Sequence, residues 1–263
     1  MQPTGRYTLM ELMVCAAAHL LEDGKTAVIG TGAPLAAAML AQKNHAPDLF
    51  VMFEAGAMAP ILEKLPISVA GSSTQTHALM HSGMDDIMEG CQRGIVDYTF
   101  LGGAQIDQYG NLNSTLIGSD YAKPKVRLPG SGGANDLASL CWKTVSIIPH
   151  TRRKFVPKVD FITSPGYLSG PGAREAAGLP AGSGPYRVIS TLAVMGFDPG
   201  SKRMMLLSIH PGVTRQDIID NTGFDMLFAE NVTVTAEPSD EELRILREQV
   251  DPQGKIISRA MKE

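Results

Sequence analysis

Cysteine is scarce in this chain. Its 263 residues hold three, Cys15, Cys91 and Cys141. An odd number with no CxxC spacing excludes a disulfide framework and argues against a zinc site. All three lie in apolar, helix-like stretches and read as buried small hydrophobes. Long apolar runs are missing too: none approaches the roughly 20 residues that a membrane helix needs. Met1 to Gly5 shows no basic segment ahead of an apolar run, so no signal peptide is expected. Positive charge never clusters beyond Arg152-Arg153-Lys154, which leaves no footprint for DNA or RNA. HxH, HExxH and GxSxG are absent. His77 and His81 are four apart but lack an acidic third ligand at metal spacing, so no metal is expected. These absences point to a reducing cytoplasm, with no membrane and no nucleic acid as partner.

What is present is apolar and balanced. The chain is 44% hydrophobic and 19% charged, with a formal net charge of -4. That suffices for one large core or two small ones. A few scattered cations on an acidic background suit an enzyme that recruits a small anion locally.

Strands alternate with helices along the first two thirds. Thr8 to Leu21 has helical spacing, with Thr8 and Glu11 forming a capping box. Thr26–Gly30 is a short buried strand, and Pro34 opens a small-residue helix over 35–42. Leu49–Phe53 is a second buried strand, ending at Glu54. A helix over 85–93 and a strand at Tyr98–Leu101 follow. A helix over 135–142 comes next, then strands at 144–148 and 159–163. Continuous apolar strands between helices predict an α/β fold: an open, mostly parallel sheet with helices on both faces. Later, 186–194 and 203–209 flank Phe197-Asp-Pro-Gly-Ser201 and predict an antiparallel hairpin. Thr214 and Ser239 cap two further helices, with Asp217 and Glu242 three places on. The last, over 240–250, is strongly charged and expected at the periphery. Ser164–Pro185 is dense in Gly and Pro, too long for an ordinary connection, and reads as a functional loop or interface segment. With no clean boundary, residues 1–263 are expected to form a single domain.

Several motifs bear on chemistry. Gly30-Thr-Gly32 mimics a dinucleotide fingerprint, but Leu35 stands where the third glycine belongs, so it reads as a tight turn. Glu54 ends a five-residue apolar strand and precedes Ala55-Gly56-Ala57. Ligands gather at the carboxyl ends of parallel strands, and small neighbours leave such a carboxylate open to attack a thioester. Taken alone, it reads better as a structural ion-pair partner, since such pairs outnumber nucleophiles. Gly130-Ser-Gly-Gly-Ala-Asn-Asp136 gathers glycines before a helix, where backbone N–H groups can face an oxyanion; alone it reads equally as a generic turn and helix start. Gly102–Asn113 reads as a cleft lining or as a turn stabilised by Asp107 and Asn111. Arg152-Arg153-Lys154 is a solvated patch or a site for phosphates or a carboxylate.

Taken in order, these stretches resemble family I CoA-transferases, of the kind represented by the β-type chain of glutaconate CoA-transferase. The matching pieces are Gly30-Thr-Gly32, Ala46-Pro-Asp48, Glu54-x-Gly56, Gly103-Ala-Gln-Ile-Asp-x-Tyr-Gly-Asn111, Gly130–Asn135, Thr163-Ser-Pro-Gly166, Gly170-Pro-Gly172 and Asn221–Asp225. The resemblance implies a β-type subunit with Glu54 as the nucleophile. It implies ping-pong transfer of CoA between an acyl-CoA and a free carboxylic acid through a glutamyl-CoA thioester. Gly132 and Gly133 match the oxyanion loop. Gly130, Ser131, Ala134, Asn135 and Gln105 are the expected contacts to coenzyme A. A distinct α subunit is the implied partner, without which the chain is inactive. Ala55 departs from the Ser or Asn that many relatives carry after the glutamate, which touches acid preference more than reaction type. Hydrolytic ring opening of an acyl-CoA, decarboxylation and a non-catalytic partner role are the alternatives. Decarboxylating members lack the glutamate, so Glu54 favours transfer.

Overall fold

A computed structural model describes residues 5–63, 65, 66, 68, 69 and 71–258. The segments Met1–Thr4 and Arg259–Glu263 and residues Lys64, Ile67 and Ala70 lie outside it. The chain forms two compact units. The first runs to Phe100 and resumes at Ala236; the second spans Leu101–Thr235.

The first unit begins with α1 (Leu9–Ala18), whose Thr8–Glu11 capping box forms as expected. Strand β1 (Thr26–Val28) leads to α2 (Ala33–Asn44), which has proline in its first turn and a face of small buried residues from Leu35 to Ala41. Strand β2 (Phe50–Met52), the short strands β3 (Ala57–Met58) and β4 (Met80–His81), α3 (Met84–Gln92) and β5 (Tyr98–Leu101) complete it. The strand order is β5-β1-β2-β3-β4. β1 lies parallel to β5 and β2, whereas β3 and β4 turn antiparallel at the edge. The parallel strands are apolar on both faces, as strands covered by helices must be.

The second unit carries two small antiparallel pairs, β6 (Gln105–Ile106) with β7 (Leu112–Asn113) and β8 (Leu116–Ile117) with β9 (Val126–Arg127). α4 (Ala134–Leu140) and β10 (Lys143–Ile148) follow. After the short helix α5 (Ala173–Ala176) come β11 (Gly184–Ser190), β12 (Ala193–Phe197), β13 (Met204–Ile209), α6 (Arg215–Asn221) and β14 (Leu227–Val234). The order is β14-β13-β12-β11-β10, with parallel pairs at both ends and antiparallel pairs between.

Some expectations need correction. The anticipated hairpin is present as β12–β13, but 186–194 is two strands rather than one. Ser190 Oγ accepts from the N–H groups of Leu192 and Ala193, closing a turn that breaks the run. Residues 159–163 form no strand. The Asp160 N–H donates to Gln105, and Thr163 N–H to Leu112 O, so the backbone bends to serve separate partners. β14 has no continuous apolar run to announce it, because Glu230 and Asn231 interrupt it.

The final helix, α7 (Asp240–Ile245), continues as a π turn over Leu246–Val250; its charged face, with Asp240, Glu241, Arg244 and Glu248, is exposed as expected, but its other face is buried. Leu243, Ile245, Leu246 and Val250 are buried, and Leu243 packs with Tyr7 and Leu12. Two of its charges have fixed partners: Arg247 Nε donates to buried Glu11 of α1 at 2.6 Å, and Glu242 accepts from Ser239 N–H in the predicted capping box.

Candidate active site

Phe53 is fully buried and anchors the end of β2. The chain then reverses in three residues. Gly56 N–H donates to Phe53 O at 2.9 Å, and Phe53 N–H to Ala57 O at 2.9 Å. Glu54 and Ala55 are therefore the tip of a tight hairpin loop joining β2 to β3. Gly56 has φ 111°, and a Cβ there would meet Ser82 O at 1.9 Å. Only glycine fits. Ser82 returns two hydrogen bonds to Gly56 O, from its N–H at 3.0 Å and its hydroxyl at 3.1 Å. The turn is clamped from below while half-exposed Glu54 stands at the carboxyl end of the parallel strands. That is where ligands of open α/β sheets bind.

The glycine loop belongs to the second unit. Gly130 and Gly132 have φ 98° and 50°, so two left-handed residues bracket exposed Ser131. Ala134 N–H closes the loop on Ser131 O at 2.9 Å. Gly133 is buried and precedes α4; Gly132 and Asn135 are exposed. Gly130 is sewn to Ser114 in both directions: its N–H donates to Ser114 O, and the Ser114 hydroxyl donates to Gly130 O, both at 2.9 Å. Asn135 Nδ2 donates to Thr163 O at 3.0 Å. Thr163 Oγ1 in turn accepts from Ser114 N–H at 2.9 Å.

Gln105 lies beneath this network rather than at its surface. It is 6% exposed. Its Oε1 accepts from Asn113 Nδ2 at 2.7 Å and from Asp160 N–H at 3.0 Å, and its Nε2 donates to Asp160 Oδ2 at 3.2 Å. The side chain is committed to holding the loop. Asp107 and Asn111 form the expected turn: Asp107 Oδ1 accepts from the N–H groups of Tyr109 and Asn111. Burial pushes the Asp107 carboxyl above its usual range, against the lowering effect of these bonds.

Two features escaped the sequence. Arg174 is 1% exposed. It donates to Ala138 O and Ser139 O in the last turn of α4, to Pro165 O and Gly166 O, and to Ser183 Oγ. A buried guanidinium thus fixes the Gly/Pro-rich segment against the helix that follows the glycine loop. Burial lowers its pKa. The arrangement of cation and helix C-terminus is favourable, but Arg in a run of small residues carries no periodic signal.

The second is a pair of buried histidines. His150 Nε2 lies 3.0 Å from Thr222 Oγ1, whose proton goes to Ile218 O, so the ring donates there. Its Nδ1 lies 2.9 Å from Ser190 Oγ, and its ring stacks on Phe155 at 3.8 Å. His210 Nε2 donates to Ser190 O at 2.8 Å. Burial lowers both, His150 to about 3, with His210 adding repulsion, and His210 to about 4. Both are neutral at pH 7.

Among the described residues no group of three His, Cys, Asp or Glu side chains could hold a metal ion. None of their helices is long and apolar enough to cross a membrane. The three cysteines are buried and form no disulfide among the described residues. Arg152 and Arg153 are exposed.

The coenzyme A transferase family model matches residues 10–221. The chain is 40% identical over 242 residues to the B-type chain of 3-oxoadipate CoA-transferase from Pseudomonas knackmussii, covering 92% of each. It is 36% identical over 255 residues to the B-type chain of glutaconate CoA-transferase from Acidaminococcus fermentans, covering 94% of this chain and 93% of the relative. The crystal structure of glutaconate coenzyme A-transferase from that organism superposes with a TM-score of 0.91 at 34% identity, covering 97% of this chain and 99% of that one.

Proposed function

Because the chain belongs to the coenzyme A transferase family, we propose that it is the glutamate-bearing β-type subunit of a CoA-transferase, with Glu54 as its nucleophile. The observation that carries the assignment is the clamped turn. A carboxylate raised on a rigid three-residue loop at the strand ends is pre-positioned for attack.

The chemistry balances without a further reagent. A Glu54 oxygen adds to the acyl-CoA carbonyl, the C–S bond breaks, and CoA leaves as thiolate from a mixed anhydride. The thiolate then attacks the glutamyl carbonyl and expels the first carboxylic acid as carboxylate. That leaves a glutamyl-CoA thioester. An incoming carboxylate attacks this thioester and regenerates an anhydride and thiolate. Attack of the thiolate on the acyl carbonyl gives the new acyl-CoA and restores Glu54. Each tetrahedral intermediate bears an oxyanion. We assign its main-chain stabilisation to Gly132 and Gly133, where one well-placed donor is worth about 3 kcal/mol. Gly130, Ser131, Ala134 and Asn135 are our candidates for CoA contacts. Gln105 enters as the support beneath them.

The relatives named above are each one of two kinds of chain in their enzymes, so the working enzyme in this reading is a hetero-oligomer with an α subunit. Both are named for dicarboxylates. We therefore favour the half-thioester of a short dicarboxylic acid as donor or product. A cytoplasmic location agrees with three buried cysteines that form no disulfide.

The test is exchange catalysed by the purified complex. Wild type should move CoA from an acyl-CoA to free acetate or to a dicarboxylate faster than it releases thiol to water. Glu54→Ala should abolish exchange while the complex stays folded. Thiol release without exchange would reassign the enzyme as a hydrolase.

A further inference from the structure

We infer that Tyr121, Phe161 and the cations of the β8–β9 hairpin form a docking platform for the adenosine 3′-phosphate 5′-diphosphate end of coenzyme A. The inference rests on the CoA-transferase reading and specifies where that substrate's nucleotide is held.

The platform combines exposed aromatic surface with unneutralised positive charge. Tyr121 is 62% exposed and Phe161 38%, and their ring centroids lie 5.9 Å apart. Two exposed aromatic rings side by side make a contiguous apolar patch, the kind of surface that marks a binding site. The Arg127 guanidinium lies 4.7 Å from the Tyr121 ring centroid and donates to Tyr121 O at 2.7 Å. That bond fixes loop and cation as one body. Lys123 and Lys125 project from the same loop and are exposed. Neither pairs with a carboxylate among the described residues.

The nearby acids are already occupied. Asp120 accepts from the N–H groups of Ala122 and Lys123. Asp160 Oδ2 accepts from Gly118 N–H at 2.9 Å and from Gln105. One guanidinium thus lies over the Tyr121 ring, with two exposed lysines in the same stretch of chain, on a protein of net charge -4. A purine stacks on such rings, and guanidinium and ammonium groups hold phosphates. Arg152 and Arg153, in the longest contiguous basic run of the sequence, stack on no ring among the described residues.

Position supports the same ligand. The hairpin runs directly into the glycine loop: Leu128 N–H donates to Thr115 O, and Gly130 N–H to Ser114 O. Arg127 is three residues from Gly130, a span of at most about 11 Å. A molecule with its thioester at the glycine loop and a flexible arm ending in a charged nucleotide matches that layout.

The experiment measures binding of adenosine 3′,5′-bisphosphate and adenosine 5′-phosphate to the purified α–β complex by calorimetry. Wild type should prefer the bisphosphate. Tyr121→Ala should weaken both probes by a similar factor, about tenfold, because stacking reads the base. Arg127→Ala and Lys125→Ala should weaken the bisphosphate more than the monophosphate and so erase the preference. Tyr121→Phe should retain binding. Affinities within twofold of wild type in all three alanine variants overturn the platform, and CoA exchange by wild type would still stand. If the isolated chain binds the probes and the complex does not, the surface is an inter-subunit contact and the inference fails. If the platform binds as expected but no acyl group is transferred, the functional assignment falls and the nucleotide site stands.

Discussion

The two buried histidines make a stability prediction whose size follows from their surroundings. His150 is held at about 3 and His210 at about 4, both chiefly by burial. In the unfolded chain each titrates near 6.5. Below that value the unfolded state takes up protons that the folded state refuses. The stabilisation is therefore complete above about pH 6.5 and is lost as pH falls toward 4 and then 3. At pH 5 each histidine costs about 2 kcal/mol relative to pH 8, and the pair about 4 kcal/mol. For a protein of this size that lowers Tm by roughly 10 °C. Carboxylates with lowered pKa values, such as Asp217 and Glu242, lose their contribution at lower pH than this window. Asp107, raised by burial, acts in the opposite sense. The comparison is therefore made with His150→Asn/His210→Asn. Scanning calorimetry at pH 8 and pH 5 should show a large fall in wild type and a much smaller fall in the double variant. Equal falls in the two proteins refute the reasoning.

Other perturbations follow from single contacts. Gly56→Ala must leave its positive φ and relieve a contact with Ser82 O; it should cost at least about 2 kcal/mol in urea unfolding and depress exchange kcat, because the Glu54 turn moves. Arg174→Ala removes a buried cation from five acceptors and should cost about 3 kcal/mol or more, with Arg174→Lys only partly restoring stability, since an ammonium cannot reach them all. Ser239→Ala removes the N-cap of α7 and should cost about 1 kcal/mol by chemical denaturation. Glu54→Asp withdraws the proposed nucleophile by about an ångström and should lower exchange kcat at least a hundredfold while KM for acyl-CoA changes little.

Local chemistry was the legible part of the fold. Three capping boxes, at Thr8, Thr214 and Ser239, were readable because side chain and backbone partner lie three residues apart. Buried parallel strands such as Tyr98–Leu101 announced themselves as apolar runs. What escaped depended on partners distant in sequence. Residues 159–163 look like a strand until Gln105 and Leu112 claim their backbone. The last helix looks solvated until α1 supplies Glu11 for Arg247. At the site, Glu54 and the glycine loop were visible as motifs, but Gln105 was read as a ligand contact when its amide is spent beneath the loop. Arg174 and the histidine pair were invisible because their meaning lies in burial. The Tyr121–Phe161 platform joins residues 40 apart through a hairpin the sequence did not announce.

The central claim is that Glu54 becomes covalently bonded to CoA. The direct measurement is peptide mass spectrometry of the α–β complex after acyl-CoA is added and excess ligand removed. The account predicts a CoA adduct on the peptide containing Glu54, absent in Glu54→Ala and converted to a reduced side chain by borohydride. An active complex carrying its adduct on another residue, or turning over with none on rapid quenching, would contradict it.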